Sequence, residues 1–322
     1  MKLVLPEYED IIKAHDLIRE YIHRTPVLTS KSINNIFKSE IYFKCENFQK
    51  VGAFKFRGAT NAIFSLPEEE ARRGVGTHSS GNHAAAVSLA ARMRGIPAYI
   101  VMPRNAPAIK IKAVQGYGGK ITFCEQTQQA RESTMKVVLE ETNAVFVPSY
   151  NHFDIISGQG TAARELIEET GDLDIIMAPV GGGGLISGTA TAVKGMSPGT
   201  RVLAVEPANA DDAFRSFHAG RIFPSVNPRT IADGLLTSLG TMTFAIIRKK
   251  VDDIVTVSEA SIIQAMRMIW ERMKIIVEPS GAVSLAALVE GKVDAKGKRI
   301  GIILSGGNVD LDKLPFNPAL DR

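Results

Sequence analysis

The chain has 322 residues, 45% hydrophobic and 22% charged, which suits a soluble globular protein of about two domains and excludes a disordered one. Its 38 basic and 34 acidic residues leave a net charge of +4, scattered in short clusters, so no nucleic-acid polymer is expected as a partner. Two cysteines, Cys45 and Cys124, exclude a disulfide framework; with no signal peptide and no apolar run near the roughly 20 residues of a membrane span, a cytoplasmic location is expected.

In chain order, residues 41–45 predict a strand and 56–66 a helix. A short strand at 76–79 precedes an Ala-rich helix at 81–94, followed by strand 97–102, helix 107–115, strand 120–124, helix 128–141 and strand 144–147. Then come helix 155–169, strand 174–180, helix 185–194 and strand 201–205. Strand 254–257, helices 259–274 and 280–288, and strand 299–304 complete the pattern. Short aliphatic strands separated by helices predict an α/β fold with mostly parallel sheets covered by helices. Residues 214–236, with Pro224 and Pro228, read as an extended surface connection. A boundary falls near Pro148-Ser149-Tyr150-Asn151.

Three predicted strands end in small polar residues. The strand at 174–180 runs into Gly181, Gly182, Gly183 and Gly184, then Leu185 opens a helix. Free N–H groups and a helix N-terminus there suit a phosphate. The run is not a Walker loop, because no Gly-Lys-Ser/Thr follows. It loosely resembles a dinucleotide fingerprint, which keeps a nicotinamide-dependent dehydrogenase as a rival, without the acidic residue that should follow about 20 residues on. Ser79-Ser80-Gly81-Asn82-His83 suits a carboxylate or is an ordinary helix cap. Leu304-Ser305-Gly306-Gly307-Asn308 is the third. Ligands of open α/β sheets bind at the carboxyl ends of strands, so one shared crevice is expected. A non-catalytic binding module on this scaffold is the other rival.

These segments, with Phe48-Gln49-Lys50, Lys55, Ser157-Gly158-Gln159-Gly160-Thr161, Glu206-Pro207 and Thr230-Ile231-Ala232-Asp233-Gly234, are similar in order and spacing to a known family. The chain resembles the fold type II pyridoxal-phosphate enzymes, in the branch of serine racemases and serine/threonine dehydratases, nearest to the racemase pattern. The likeness runs from Thr25 to Asp310. It implies a two-domain, tryptophan synthase β-like fold, with 65–148 as a small domain set in a large one made of 1–64 and 149–322. It also implies a homodimer, and no regulatory extension or feedback control.

The resemblance implies the roles. Lys55 would hold pyridoxal 5′-phosphate covalently and move a proton on one face of the substrate. Phe54 would pack near the ring, Asn82 would bond its 3′ oxygen, and Ser305 would bond its nitrogen. A hydroxyl at that nitrogen weakens the electron sink, which disfavours transamination and leaves elimination and racemisation open. Gly181, Gly182, Gly183, Gly184 and Leu185 would hold the phosphate. Ser79, Ser80, Asn82 and His83 would receive the substrate carboxylate, and Ser80 would be the acid/base of the opposite face. Arg131 and Thr237 would close over the side chain; Thr237 stands where a racemase is expected to have serine.

The resemblance implies that Glu206, the Ala210 carbonyl and Asp212 would bind Mg²⁺, Ca²⁺ or Mn²⁺, whereas the residues alone read as a strand-end acid followed by a helix cap. Lys50, Tyr117, Asn151 and Lys274 match positions that bind an activating nucleotide, ATP, with Ala85 where that site has glutamine. The implied activity is interconversion of L- and D-serine with β-elimination to pyruvate and ammonia. The alternative is an L-threonine/serine dehydratase or threo-3-hydroxyaspartate ammonia-lyase with little racemase activity.

Overall fold

The structure, a computed structural model describing residues 3–79, 81–106 and 108–316, gathers the predicted strands into two sheets. In chain order the elements are α1 (Tyr8–Ile18), β1 (Val27–Leu28), α2 (Lys31–Phe37), β2 (Glu40–Cys45), α3 (Lys55–Phe64), α4 (Glu68–Arg72), β3 (Val75–His78), α5 (Asn82–Arg94), β4 (Ala98–Pro103), α6 (Ala108–Gly116) and β5 (Lys120–Cys124). They continue with α7 (Gln128–Thr142), β6 (Val145–Phe146), α8 (Phe153–Thr170), β7 (Ile175–Pro179), α9 (Gly184–Met196), β8 (Arg201–Pro207) and α10 (Asp212–Ala219). The last are α11 (Thr241–Lys250), β9 (Asp253–Val257), α12 (Glu259–Met273), α13 (Pro279–Val289) and β10 (Arg299–Leu304).

The larger sheet has six strands in the order β1-β2-β10-β7-β8-β9, parallel except for β1, which pairs antiparallel with β2 at the edge. The smaller has four parallel strands in the order β5-β4-β3-β6. Strand β7 shows why the large sheet reads as a continuous apolar run. Ile175 and Met177 join one core with α12 and α13, while Ile176 and Ala178 join another with α8 and α9. Alternate residues face opposite sides, and both sides are covered.

Helix α8 passes between α3 and α9. A Cβ on Gly158 would lie 2.7 Å from Gly58 Cα, and one on Gly188 would lie 2.5 Å from the Gly160 nitrogen. Backbones come this close only where neither carries a side chain. The 157–161 stretch that supports the family resemblance is therefore a packing motif.

Two expectations need correction. The stretch 214–236 is not irregular throughout: α10 extends to Ala219, with Phe214 and Phe217 packed on the core of α8 and α9, and irregular chain begins only beyond it. Helices α1, α2, α4 and α11 have no counterpart in the sequence reading, which followed strand-to-helix alternation and passed over segments outside it. Among the described residues no helix is long and apolar enough to cross a membrane.

Candidate functional site

Lys55 opens α3. Just before it, Ala53 bridges Gly306, and the Phe54 N–H donates to the Ser305 carbonyl at 3.0 Å. The start of α3 is thus joined to the carboxyl end of β10. Lys55 Nζ donates to the Ser149 carbonyl at 2.7 Å and stands 5.1 Å from the centre of the Phe54 ring. Burial disfavours its charged form and brings its pKa down to about 8.

Beneath it lies a buried charge cluster that sequence reading missed. Arg57 bonds Glu46 at 2.7 and 2.9 Å and Glu165 at 2.8 Å through each of two nitrogens. Lys44 donates to Glu165 and to the Thr25 carbonyl, both at 2.6 Å. All four ionic side chains are at most 1% exposed. Burial alone would raise the Glu165 pKa, but the Arg57 and Lys44 charges override it and hold it at about 2. Two cations and two anions cancel, which lets the cluster sit in the interior.

The 181–184 loop joins β7 to α9. Gly183 has φ of +88°, in the left-handed region that favours glycine. Gly182 and Gly184 are small for another reason: a Cβ on either would lie 2.4 or 3.0 Å from Tyr150. The Thr243 hydroxyl donates to the Gly182 carbonyl at 2.9 Å. The glycines expected for an anion are thus also demanded by the protein's own neighbours.

After β3, the Ser79 N–H donates to the Val101 carbonyl at 3.1 Å and the Ser79 hydroxyl accepts from the Gly81 N–H at 3.3 Å. Ser80 lies outside the described residues. Asn82 begins α5, and its amide nitrogen donates to both Glu278 oxygens at 2.9 and 3.2 Å. Its amide oxygen accepts from Asn308 at 2.9 Å. The His83 imidazole is buried, and Nε2 donates to the Val147 carbonyl at 3.1 Å. Burial, then the nearby Lys55 charge, push its pKa down to about 3, so it is neutral and Nδ1 is a bare acceptor. Nδ1 has no partner among the described residues.

Other predicted residues are more dispersed. Arg131 lies on α7 with a buried Nε that has no partner among the described residues, its charge felt by His78 and Cys124. Thr237 is exposed in the chain before α11. Lys50 donates to the Tyr21 carbonyl at 2.6 Å, Asn151 accepts from the N–H groups of Met242 and Thr243 at 2.9 and 3.4 Å, and Lys274 ends α12. Of that set only Tyr117, with Ala85, lines the cavity of about 570 Å³ beside Gly81 and Asn82. Lys110 and Asp233, from α6 and the 233–235 turn, form an ion pair on its wall.

Glu206, next to the last residue of β8, is fully buried, its oxygens accepting from the N–H groups of Ala213 and Phe214 at 3.0 and 2.8 Å, which caps α10. Asp212 is 1% exposed, and among the described residues neither of its oxygens has a partner at hydrogen-bond geometry. Burial, with the Asp212 charge adding to it, pushes Glu206 up to about 9; burial pushes Asp212 up to about 6. Two adjacent buried carboxylates, the Asp212 oxygens without a hydrogen-bond partner among the described residues, fit a hard divalent cation. Among the described residues no three His, Cys, Asp or Glu side chains cluster as a metal site.

Sequence reading missed Glu278, Tyr150 and Ser149. Glu278 carries a signal: it is a lone acid between Val277 and Pro279, at the cap of a helix with proline in its first turn. Tyr150 carries none, because its partners lie more than 30 residues away in sequence.

Residues 18–306 match the sequence profile of the family described as "Pyridoxal-phosphate dependent enzyme". The chain is 53% identical over 309 residues to a serine racemase of Arabidopsis thaliana, covering 94% of this chain and 93% of that protein. It is 50% identical over 315 residues to the beta-hydroxyaspartate dehydratase of Paracoccus denitrificans, covering 98% of this chain and 100% of that one. The solved structure of maize serine racemase superposes with a TM-score of 0.93 at 49% identity, covering 96% of this chain and 95% of that one. The nicotinamide and non-catalytic alternatives give way to this match, and the chain belongs to the pyridoxal-phosphate dependent enzymes, with the fold type II architecture of that family.

Proposed function

We propose that the protein is a serine racemase that interconverts L- and D-serine and also eliminates water from serine, giving pyruvate and ammonia. One observation carries the reading: Lys55 is joined to the end of β10 through Phe54 and Ser305, and to the 181–184 loop through Ser149 and Tyr150. Relatives named serine racemase, about half identical over nearly the whole chain, support it.

Pyridoxal phosphate, when bound, supplies the electron sink that acidifies the α-carbon of an amino acid. Lys55 would hold it, with Phe54 and Asn82 at the ring, the Ser305 hydroxyl at the ring nitrogen, and the N–H groups of 181–185 at the phosphate. With its pKa down at about 8, the Lys55 amine can be neutral near neutral pH and take a proton from one substrate face, held meanwhile by the Ser149 carbonyl. Ser80 would serve the other face. Racemisation needs both; elimination needs Lys55 and a departing β-hydroxyl.

The substrate carboxylate would be met by Ser79, Ser80, Asn82 and the backbone N–H of His83, whose ring is engaged with Val147. Arg131 and Thr237 would close over the side chain. Glu206, the Ala210 carbonyl and Asp212 would hold Mg²⁺ or a similar ion. A small domain at 65–148, a homodimer, a cytoplasmic location and ATP activation through the Tyr117 cavity complete the reading.

The Paracoccus relative favours a second reading, a 3-hydroxyaspartate ammonia-lyase. Incubating the pure protein with L-serine or L-threo-3-hydroxyaspartate, and resolving D-serine from the keto acid products, separates the two. Absence of D-serine removes the racemase. Ser80→Ala should abolish racemisation and spare much of the elimination; equal loss of both argues against two-face chemistry.

A further inference from the structure

We propose that Ser149 and Tyr150 form a positioning element that fixes the spacing between the two anchors of the cofactor, the Lys55 amine and the 181–184 loop. The inference rests on the reading of that loop as the phosphate cup.

The element begins at β6. Val147 is tied to the small sheet through its N–H, which donates to the Gly76 carbonyl at 2.8 Å. It precedes Pro148, which biases it to extended backbone. Along an extended segment, groups two residues apart point the same way. The Val147 carbonyl takes the His83 ring and the Ser149 carbonyl takes Lys55 Nζ, at 3.1 and 2.7 Å. The next residue turns its ring onto the loop. A Cβ on Gly182 would lie 2.4–2.6 Å from three ring atoms of Tyr150, so the ring already touches the bare Cα. A Cβ on Gly184 would lie 3.0 and 3.1 Å from the Cβ and Cα of the same residue. One dipeptide therefore holds the amine with its carbonyl and walls the loop with its ring.

The other side of the loop is held separately. Asn151 caps the start of α11, and Thr243 of that helix donates its hydroxyl to the Gly182 carbonyl at 2.9 Å. Four adjacent glycines have wide backbone freedom, and contacts on both sides restrict it. Without the ring, Gly182 loses one wall, Gly184 keeps only its contact with the Tyr150 Cβ and backbone, and the loop N–H groups lose their common aim. The carbonyl that holds Lys55 is unaffected. The consequence is selective: affinity for the phosphate end falls, and affinity for the ring and aldehyde end does not.

The test compares pyridoxal phosphate with pyridoxal, which lacks the phosphate. Full-length wild type, Tyr150→Phe and Tyr150→Ala are titrated with each, and the ratio of dissociation constants is read from visible absorbance. Tyr150→Ala should lower the preference for pyridoxal phosphate by about tenfold or more, and Tyr150→Phe should keep it within about twofold. If Tyr150→Ala folds poorly, Tyr150→Leu tests the same point, because a branched chain lacks the flat ring that covers Gly182. An unchanged ratio, equal weakening of both ligands, or a Phe variant as impaired as the Ala variant overturns the proposal. A wild type that does not prefer pyridoxal phosphate would remove the phosphate-cup reading itself, and this inference with it.

Discussion

Asn82 is clamped by Glu278: its amide nitrogen lies 2.9 and 3.2 Å from the two carboxylate oxygens. Glu278 is 4% exposed, and burial, followed by the Asp233 charge, pushes its pKa up to about 7. The residue that opens α5 is therefore tied to a carboxyl group that changes charge near neutrality.

This sets a pH dependence. The ordinary value for the group is 4.5, so the folded protein binds the proton more tightly than the unfolded chain. Stability drawn from that proton is complete below about pH 4.5 and is lost as pH rises through about 7. Glu278→Gln removes the titration. Thermal unfolding should find the variant more stable than wild type at pH 8, with the gap shrinking toward pH 5. A variant less stable by the same amount at every pH would contradict a carboxyl buried without charge.

Lys55→Ala should remove the visible band of the lysine-bound cofactor. General acid/base loss alone typically costs about 10²–10⁴-fold, and this variant should lose more, because the covalent anchor goes with the base. Borohydride reduction followed by peptide mass analysis locates the anchor directly. Label on a different lysine would reassign it.

The Arg57 cluster makes a stability prediction. Removing one partner of a buried ion pair costs about 3–5 kcal/mol, since the remaining charges lose their balance. Glu165→Gln should show a loss of that order in urea unfolding at pH 7. The Glu165 pKa is depressed from 4.5 to about 2, so its contribution is present above about pH 4.5 and is lost as pH falls toward 2. The gap between wild type and variant should close on that acid limb; a gap that persists at pH 2 would point to packing instead.

The Glu206 and Asp212 pair predicts stabilisation by divalent ions. At about 100 times its dissociation constant, a bound ion adds about 2.7 kcal/mol. Mg²⁺ or Ca²⁺ should raise the Tm of the wild type, a chelator should reverse the shift, and Asp212→Asn should abolish it. A wild-type Tm indifferent to both ions sets the metal aside.

Strands were legible wherever apolar residues run unbroken into glycine or a polar turn. Both β5 and β10 begin and end where periodicity puts them. The edge strand β1 was not legible, since two half-buried residues carry no period and its antiparallel pairing depends on β2. Helix α1 was readable from Ile11, Ala14 and Ile18 on one face, and was passed over. At the site, the strand ends and Lys55 were visible because their residue types are unusual together. Arg57, Glu278 and Tyr150 were not, because the partners that give each its meaning arrive from distant parts of the chain.

The glycine crossings of α8 have a mechanical consequence. Helix α3 starts at Lys55 and α9 starts at the 181–184 loop, and α8 is pressed between them with no side chain at either crossing. Helices with ordinary residues at the contact sit about 8–10 Å apart. Here the bare rod acts as a gauge block, its thickness fixing the gap between amine and loop. A single methyl at Gly158 or Gly160 would act as a shim, felt at an active site it never touches.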